Sequence, residues 1–229
     1  MVALLVVCTI LMLLGVDLVV QAVERKRHPV AAAARTLPAL TRGLWQRVVP
    51  QGMFLDSGHA TATLESSGRV RVSVDQLVLA AIGKIDRIET LALGAKVKRG
   101  QPILRLHRGD EALQINAPAS GTIRDWNTSV MKDPALVYQR LYTPDGWMLE
   151  LETERLEEEL PLWKIAKDTG RWMADEINRL RLFAAEGIFS GTPEAVLADG
   201  GNPVEGFLAE TDKTGWDRFN QEFLRSARR

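Results

Sequence analysis

Between Met53 and Leu151 the chain alternates apolar and polar residues in short runs, and that period of two limits this stretch to a sheet-rich unit. The runs ATATLE, RVRVSV, AKVK, PILRLH, LQINA, TIRDW and WMLELE read as strands. Successive side chains of a strand point to opposite faces, so a strand with one buried face alternates in this way. Between the runs lie SSG, LGAKVKRGQ, HRGDE and PASG, segments with turn chemistry. One stretch, VDQLVLAAIG, departs from the rhythm, with Leu77, Val78, Ala81 and Ile82 at helical spacing. The expectation is a small β-rich unit with one short helix.

The flanks differ in character. Residues 2–23 carry charged or amide side chains only at Asp17 and Gln21. A helix crossing a bilayer needs roughly 20 mostly apolar residues, so a transmembrane helix is expected here. The competing reading is a cleaved signal peptide, which begins with a positive region. Here no Lys or Arg precedes the apolar run, and the cluster Arg25, Lys26, Arg27 follows it. Basic residues directly after a span stay in the cytoplasm, which predicts a single-pass protein with its folded part cytoplasmic. Asp17, in the last third of the span, reads as a carboxylate turned to the interface, or more sharply as a contact with a partner helix.

Residues 24–50 are expected to form a juxtamembrane linker. Leu37, Leu40, Leu44 and Trp45, with Arg42 and Arg47 towards headgroups, fit an amphipathic helix at the membrane surface equally well. After Glu152 the pattern changes again. Leu162, Trp163, Ile165, Trp172, Met173, Ile177, Leu180 and Phe183 fall near a 3.6-residue period, with a weak break at Gly170 and a stop at Gly187. GTPEAVLADGGNPVEG reads as loop or short helical turn, and WDRFNQEFLRSA as a last helix with Phe219, Phe223 and Leu224 on one face. The resulting division is a membrane helix (1–23), a linker (24–50), a β-rich domain (51–152) and a helical extension (153–229).

Charge and reactive residues narrow the function classes. Lys+Arg and Asp+Glu both number 29, so no global bias draws the chain to nucleic acid, and no basic stripe interleaved with aromatics is present. Cys8 is the single cysteine and lies in the apolar N-terminus, with neither a disulfide partner nor zinc-ligand neighbours. His28, His59 and His107 lack metal-ligand spacing. No metal site, no catalytic residue and no nucleic-acid partner is expected.

Residues 50–152 resemble the glycine cleavage H protein of the lipoyl-domain superfamily. GHATA (58–62) stands where that family has His, an acidic residue and Trp; His59 is present, and Thr61 takes the Trp position. RVRVSVDQLVLAAIGKIDRIETLALGAKVKRGQPI follows the family's strand, short helix and Gly-Glu-Pro turn without a gap. Val74, Gly83, Ile85, Glu89, Gly94, Val97, Gly100 and Pro102 occupy positions of its pattern. APASG (117–121) matches APVSG, and NTSVMKDPALVYQRLYTPDGW resembles the run that ends in Gly-Trp. The resemblance implies an α+β protein built on a flattened lipoyl-like β-sandwich, a barrel-sandwich hybrid of the single hybrid motif type. It also implies a working lysine at the tip of a tight hairpin, from which a long acyl arm swings between enzyme sites.

At that lysine the chain departs from the family. Counting from Gly100 or back from Pro118 places His107, Arg108, Gly109, Asp110 and Glu111 on the family's E-S-V-K-A hairpin, with Asp110 at the lysine position. A carboxylate cannot form the amide that holds lipoate, so no cofactor is expected. Met131-Lys132 resembles half of a biotin acceptor but lies past the hairpin and lacks the second Met; it reads as a surface lysine. Lys96 and Lys98 match ordinary charged positions. His107, Asp110 and Glu111 at an exposed tip read as a hydrophilic turn, since no shaped pocket surrounds them, and EEE (157–159) reads as a solvated helix start.

The function expected is therefore non-enzymatic: an interaction or scaffold module at the cytoplasmic membrane face. It would touch lipid through residues 2–23 and bind an unidentified protein partner. Trp163, Trp172, Trp216, Phe219 and Phe223 supply aromatic surface, most of it for packing on the sheet. The alternative is a lipoyl carrier of a glycine cleavage-like or other lipoate-dependent system, using another lysine. A third reading is a membrane-fusion-type transport adaptor, against which stand the charge asymmetry and the lack of a coiled-coil insertion.

Overall fold

The computed structural model describes residues 43–186 and 203–225. The expected membrane helix (1–23), Cys8, Asp17, His28 and most of the linker lie outside the described residues. Among the described residues no helix is long and apolar enough to cross a membrane.

Among the described residues, nine strands form two antiparallel sheets. The larger has the order β1 (Met53–Leu55), β2 (Ala60–Leu64), β3 (Val70–Val74), β9 (Leu149–Thr153), β8 (Gly121–Trp126) and β5 (Lys96–Val97). The smaller has β4 (Arg87–Thr90), β6 (Pro102–Arg108) and β7 (Glu111–Asn116). The sheets do not close into a barrel, so the expected barrel-sandwich hybrid is corrected to a mixed, sheet-rich fold of two open sheets. Strand β3 shows why the alternation was legible: Val70, Val72 and Val74 are buried, and Arg71 and Ser73 between them are not. In register with them on β2 lie Ala60 and Ala62, both fully buried.

Helix α1 (Gln76–Ile82) is buried along all seven residues, the environment that six consecutive apolar residues, Leu77 to Ile82, require. Asp75 starts it: its backbone is extended and its side chain accepts from the amides of Leu77 and Val78. Gly83 ends it at φ 70°. A Cβ at Gly83 would sit 2.4 Å from the Cα of Gly206, whose own amide donates to the carbonyl of Ala80. Gly83→Ala therefore combines positive-φ strain with a backbone clash. It is expected to cost about 2 kcal/mol, measured as a lowered denaturation midpoint.

The alternation did not reveal β1 or β4, which are three and four residues long. Two further short helices, α2 (Thr128–Lys132) and α3 (Ala135–Gln139), lie within NTSVMKDPALVYQ, so the unit holds three short helices rather than one. Asn127 caps α2, accepting from the amide of Val130, and its Nδ2 donates to the carbonyls of Asp145 and Trp147.

Past Glu152, α4 (Leu156–Glu159) and a 3-10 turn lead into α5 (Ala166–Ala185), which runs through Gly170 without the expected break. Burial of one face holds a helix together against a single glycine's cost of about 1 kcal/mol. The extension is stitched to the larger sheet: Leu55 and Lys164 exchange backbone hydrogen bonds of 3.0 and 2.8 Å. Trp163 Nε1 donates to the carbonyl of Pro118 at 2.9 Å. Helix α6 (Lys213–Glu222), capped by Asp212, begins three residues before the expected start at Trp216. Phe183, Phe207, Phe219 and Phe223 pack edge-to-face or stacked, with centroids 4.9–6.5 Å apart. They belong to the same buried cluster as the strands and α1.

Candidate functional site

The β6–β7 hairpin turns on two residues, Gly109 and Asp110, with Arg108 opposite Glu111. Gly109 has φ 58° and Asp110 a negative φ, the pattern of a type II′ turn with Gly first. Asp110 is exposed at the tip. Asp86 supports the turn from beside it: one carboxylate oxygen accepts the Gly109 amide at 2.9 Å and the other lies 2.6 Å from Lys84 Nζ. Both contacts hold the Asp86 carboxyl below its ordinary range, the Lys84 bond first and the Gly109 amide second. Lys84 is 62% exposed.

The residues around Asp110 do not converge on a common centre. His107 turns across the sheet, with Nε2 2.9 Å from Glu89 Oε2. Burial first, then Arg87 and Arg105, push its pKa below the ordinary value, so at neutral pH this contact is not an ion pair. Arg108 points inward to the carbonyls of Ile82 and Gly206. Among the described residues no three His, Cys, Asp or Glu side chains cluster in a way that holds a metal. Lys132 on α2, Lys96 on β5 and Lys98 just past it are exposed.

The hairpin's outer edge is covered by the C-terminal segment. Asn220 on α6 accepts from the Gln114 amide at 2.8 Å and donates to the carbonyl of Ala112 at 3.0 Å. Its side-chain amide thus takes the hydrogen bonds that a neighbouring strand would make to β7. Asn116 Nδ2 donates to the carbonyl of Leu224 at 2.9 Å, a second fastening of the same edge.

A buried charged cluster joins the extension to the β-rich unit. His59 is fully buried, with Nδ1 2.6 Å from Asp75 Oδ2 and Nε2 3.5 Å from Glu176 Oε2 on α5. At 3.5 Å the Nε2 contact is longer than an ordinary hydrogen bond and acts as an ion pair. The ring stands 4.9 Å from Trp172, and Arg179 lies 2.8 Å from Glu176. Burial alone pushes the imidazole pKa down, but Asp75 and then Glu176 outweigh it and raise it to about 9. Burial likewise opposes ionisation of Glu176, yet His59 and Arg179 hold its pKa below the ordinary value. His59 is therefore a buried cation at neutral pH. The sequence marked it only as a landmark; Asp75 signals itself as a helix cap, and nothing local marks Glu176.

Glu159 corrects the reading of EEE as solvated. Glu157 and Glu158 are exposed, but Glu159 is 9% exposed. It accepts from the Ser120 amide at 3.1 Å and from Arg99 at 3.4 Å, and Arg99 also bonds the fully buried Asp56.

Comparison with known proteins places this geometry. The family model described as glycine cleavage H-protein matches residues 49–173, more than half of the chain. A probable glycine cleavage system H protein 2 of Sulfurisphaera tokodaii is 33% identical over 97 residues, 42% of this chain and 65% of that protein. The chain thus spans just under two thirds of that relative's length. A glycine cleavage system H protein of Stenotrophomonas maltophilia is 27% identical over 110 residues, 48% of this chain and 83% of the relative. The solved glycine cleavage system H protein of Mycobacterium marinum aligns at a TM-score of 0.43 with 22% identity, covering 46% of this chain and 87% of that one. On the family match across residues 49–173, the chain belongs to the glycine cleavage H-protein family.

Proposed function

We propose that the protein is a membrane-tethered, non-lipoylated H-protein-like module that holds a protein partner at the cytoplasmic membrane face. One observation carries this reading: Asp110, not lysine, stands at the exposed tip of the β6–β7 hairpin. The chain has no lysine from Arg99 to Met131, so the hairpin offers no amine to acylate. The fastening of β7 by Asn220 and Asn116 supports the same reading, since it ties the hairpin's edge to the C-terminal segment. The tether rests on the apolar run 2–23, and the cytoplasmic orientation on Arg25, Lys26 and Arg27. The two-residue β6–β7 turn has no room for a coiled-coil insertion, which argues against a transport adaptor.

A second reading, a lipoyl carrier, draws on the family membership and on Lys84. Through Asp86 this exposed lysine sits beside the Gly109 amide at the hairpin tip. Intact mass of the protein purified from its own membranes separates the two. An unmodified mass is expected, in cells whose other lipoyl proteins are fully lipoylated. A mass larger by one lipoyl group overturns the scaffold reading, and peptide mapping then tests Lys84. The tether is checked apart from this: the protein is expected to stay in the membrane fraction after an alkaline wash, and release into the wash overturns that part.

A further inference from the structure

The two walls of a cleft on the outer face of the larger sheet differ in chemistry. Thr61 pairs with Ser73 and Thr63 with Arg71 in the β2–β3 register. These four side chains share the face opposite the one that buries Ala62, Val72 and Val74. The loop Tyr142–Trp147 faces them, and the space between has a volume of about 460 Å³, in the range of small-molecule sites.

Both walls are held in place without a ligand. Tyr142 has φ 63°, a strained backbone for an aromatic residue. Its hydroxyl donates to Gln76 Oε1 at 2.9 Å and accepts from the Gln76 amide at 3.2 Å. Ser73 Oγ donates to the carbonyl of Gly146 at 2.8 Å, joining the walls. Asn127 fixes the loop from behind through the carbonyls of Asp145 and Trp147. A cleft with fixed walls gives up little conformational freedom on binding.

Charge and hydrogen bonding define what fits. Among the described residues, Arg71 is the only cation lining the cleft. Its guanidinium lies 2.8 Å from Glu65, 3.6 Å from Glu150 and 5.1 Å from the centre of the Trp147 ring. Glu150 is in turn neutralised by Arg69 at 2.8 Å. No net charge is left to attract an ion, and an anion would meet two carboxylates. The hydroxyls of Thr61 and Thr63 make no hydrogen bond to another described residue. Met53, Tyr142 and Trp147 add apolar and aromatic surface.

We propose that this cleft is a binding site for a small, uncharged, planar ring compound with hydrogen-bonding groups on its rim. The ring lies among Met53, Tyr142 and Trp147, and its rim groups meet Thr61 and Thr63. The site stands apart from the hairpin and does not depend on the proposed function.

Nicotinamide serves as the probe and nicotinate, the same ring with a negative charge, as its control. Saturation-transfer NMR on the full-length protein at neutral pH is expected to show saturable nicotinamide binding. Nicotinate is expected to bind at least tenfold more weakly. Thr63→Trp, which fills the cleft, is expected to weaken nicotinamide at least tenfold, with its melting curve as the check on folding. If that variant does not fold, Thr63→Val exchanges the hydroxyl for a methyl of similar size and is expected to weaken binding about threefold, the loss of roughly half a neutral hydrogen bond. No saturable binding, equal binding of nicotinate, or binding unchanged in a folded Thr63 variant would each overturn the proposal.

Discussion

Replacing His59 by alanine is expected to destabilise the fold by about 3–5 kcal/mol, the range for breaking a buried ion pair by removing one partner. Asp75 and Glu176 would keep their charges in a buried site with the cation gone. Arg179 would still reach Glu176, but no other cation pairs with Asp75 among the described residues. The His59 ring also packs against Trp172 and Phe223, so its removal leaves a cavity as well.

The same cluster makes stability depend on pH with a definite sign. His59 rises from its ordinary value of 6.5 in the unfolded chain to about 9 in the fold. Between those values the folded state binds more protons than the unfolded state, so stability falls as pH rises. The contribution, about 3 kcal/mol for a shift of this size, is fully present below pH 6.5 and lost by the time pH has passed 9. Glu176 acts in the opposite window: its depressed pKa adds stability that is present above the ordinary glutamate range and lost as pH falls below it. Melting temperatures from pH 6 to 9.5 are expected to decline for the wild type and to stay flatter for His59→Gln. Parallel curves for the two proteins would show that His59 is not charged in the fold.

Phe219→Ala is expected to cost about 3–5 kcal/mol, the usual range for truncating a fully buried phenylalanine. Phe219 is 0% exposed and lies at the centre of the aromatic cluster, stacked on Phe223 at 4.9 Å and edge-on to Phe183 and Phe207. The loss has a local consequence, because the next residue is Asn220. When α6 loosens, the Gln114 amide loses the acceptor that protects it at the edge of β7. Amide exchange at Gln114 is expected to accelerate by about two orders of magnitude, following local opening made easier by about 3 kcal/mol. Amides of β3, paired on both sides by β2 and β9, are expected to change far less. Equal acceleration in β3 and β7 would mean that the C-terminal segment opens only with the whole fold.

Much of the fold was legible because its signals are local. The valines of β3 alternate along five residues, Leu77, Val78, Ala81 and Ile82 keep helical spacing in α1, and HRGDE carries turn chemistry where the β6–β7 hairpin turns. The matches to the family pattern, read in one order, point to Asp110 as the residue at the hairpin tip. Strands β1 and β4 escaped because MFL is apolar throughout and RIET has a single apolar residue, so neither shows the alternation.

What only the tertiary structure decided are the contacts between residues far apart in the chain. Nothing in the sequence around Glu176 pairs it with His59, nor around Asn220 with Ala112 and Gln114, and Glu159 reads as solvent-facing until Ser120 and Arg99 close on it. The alternation by itself determined most of the strands, because it depends on neighbours a few positions away, and the family resemblance determined which residue sits at the hairpin tip. The burial of a charge, the capping of a strand edge and the cleft beside Trp147 depend on which surfaces meet, and only the packed chain specifies that.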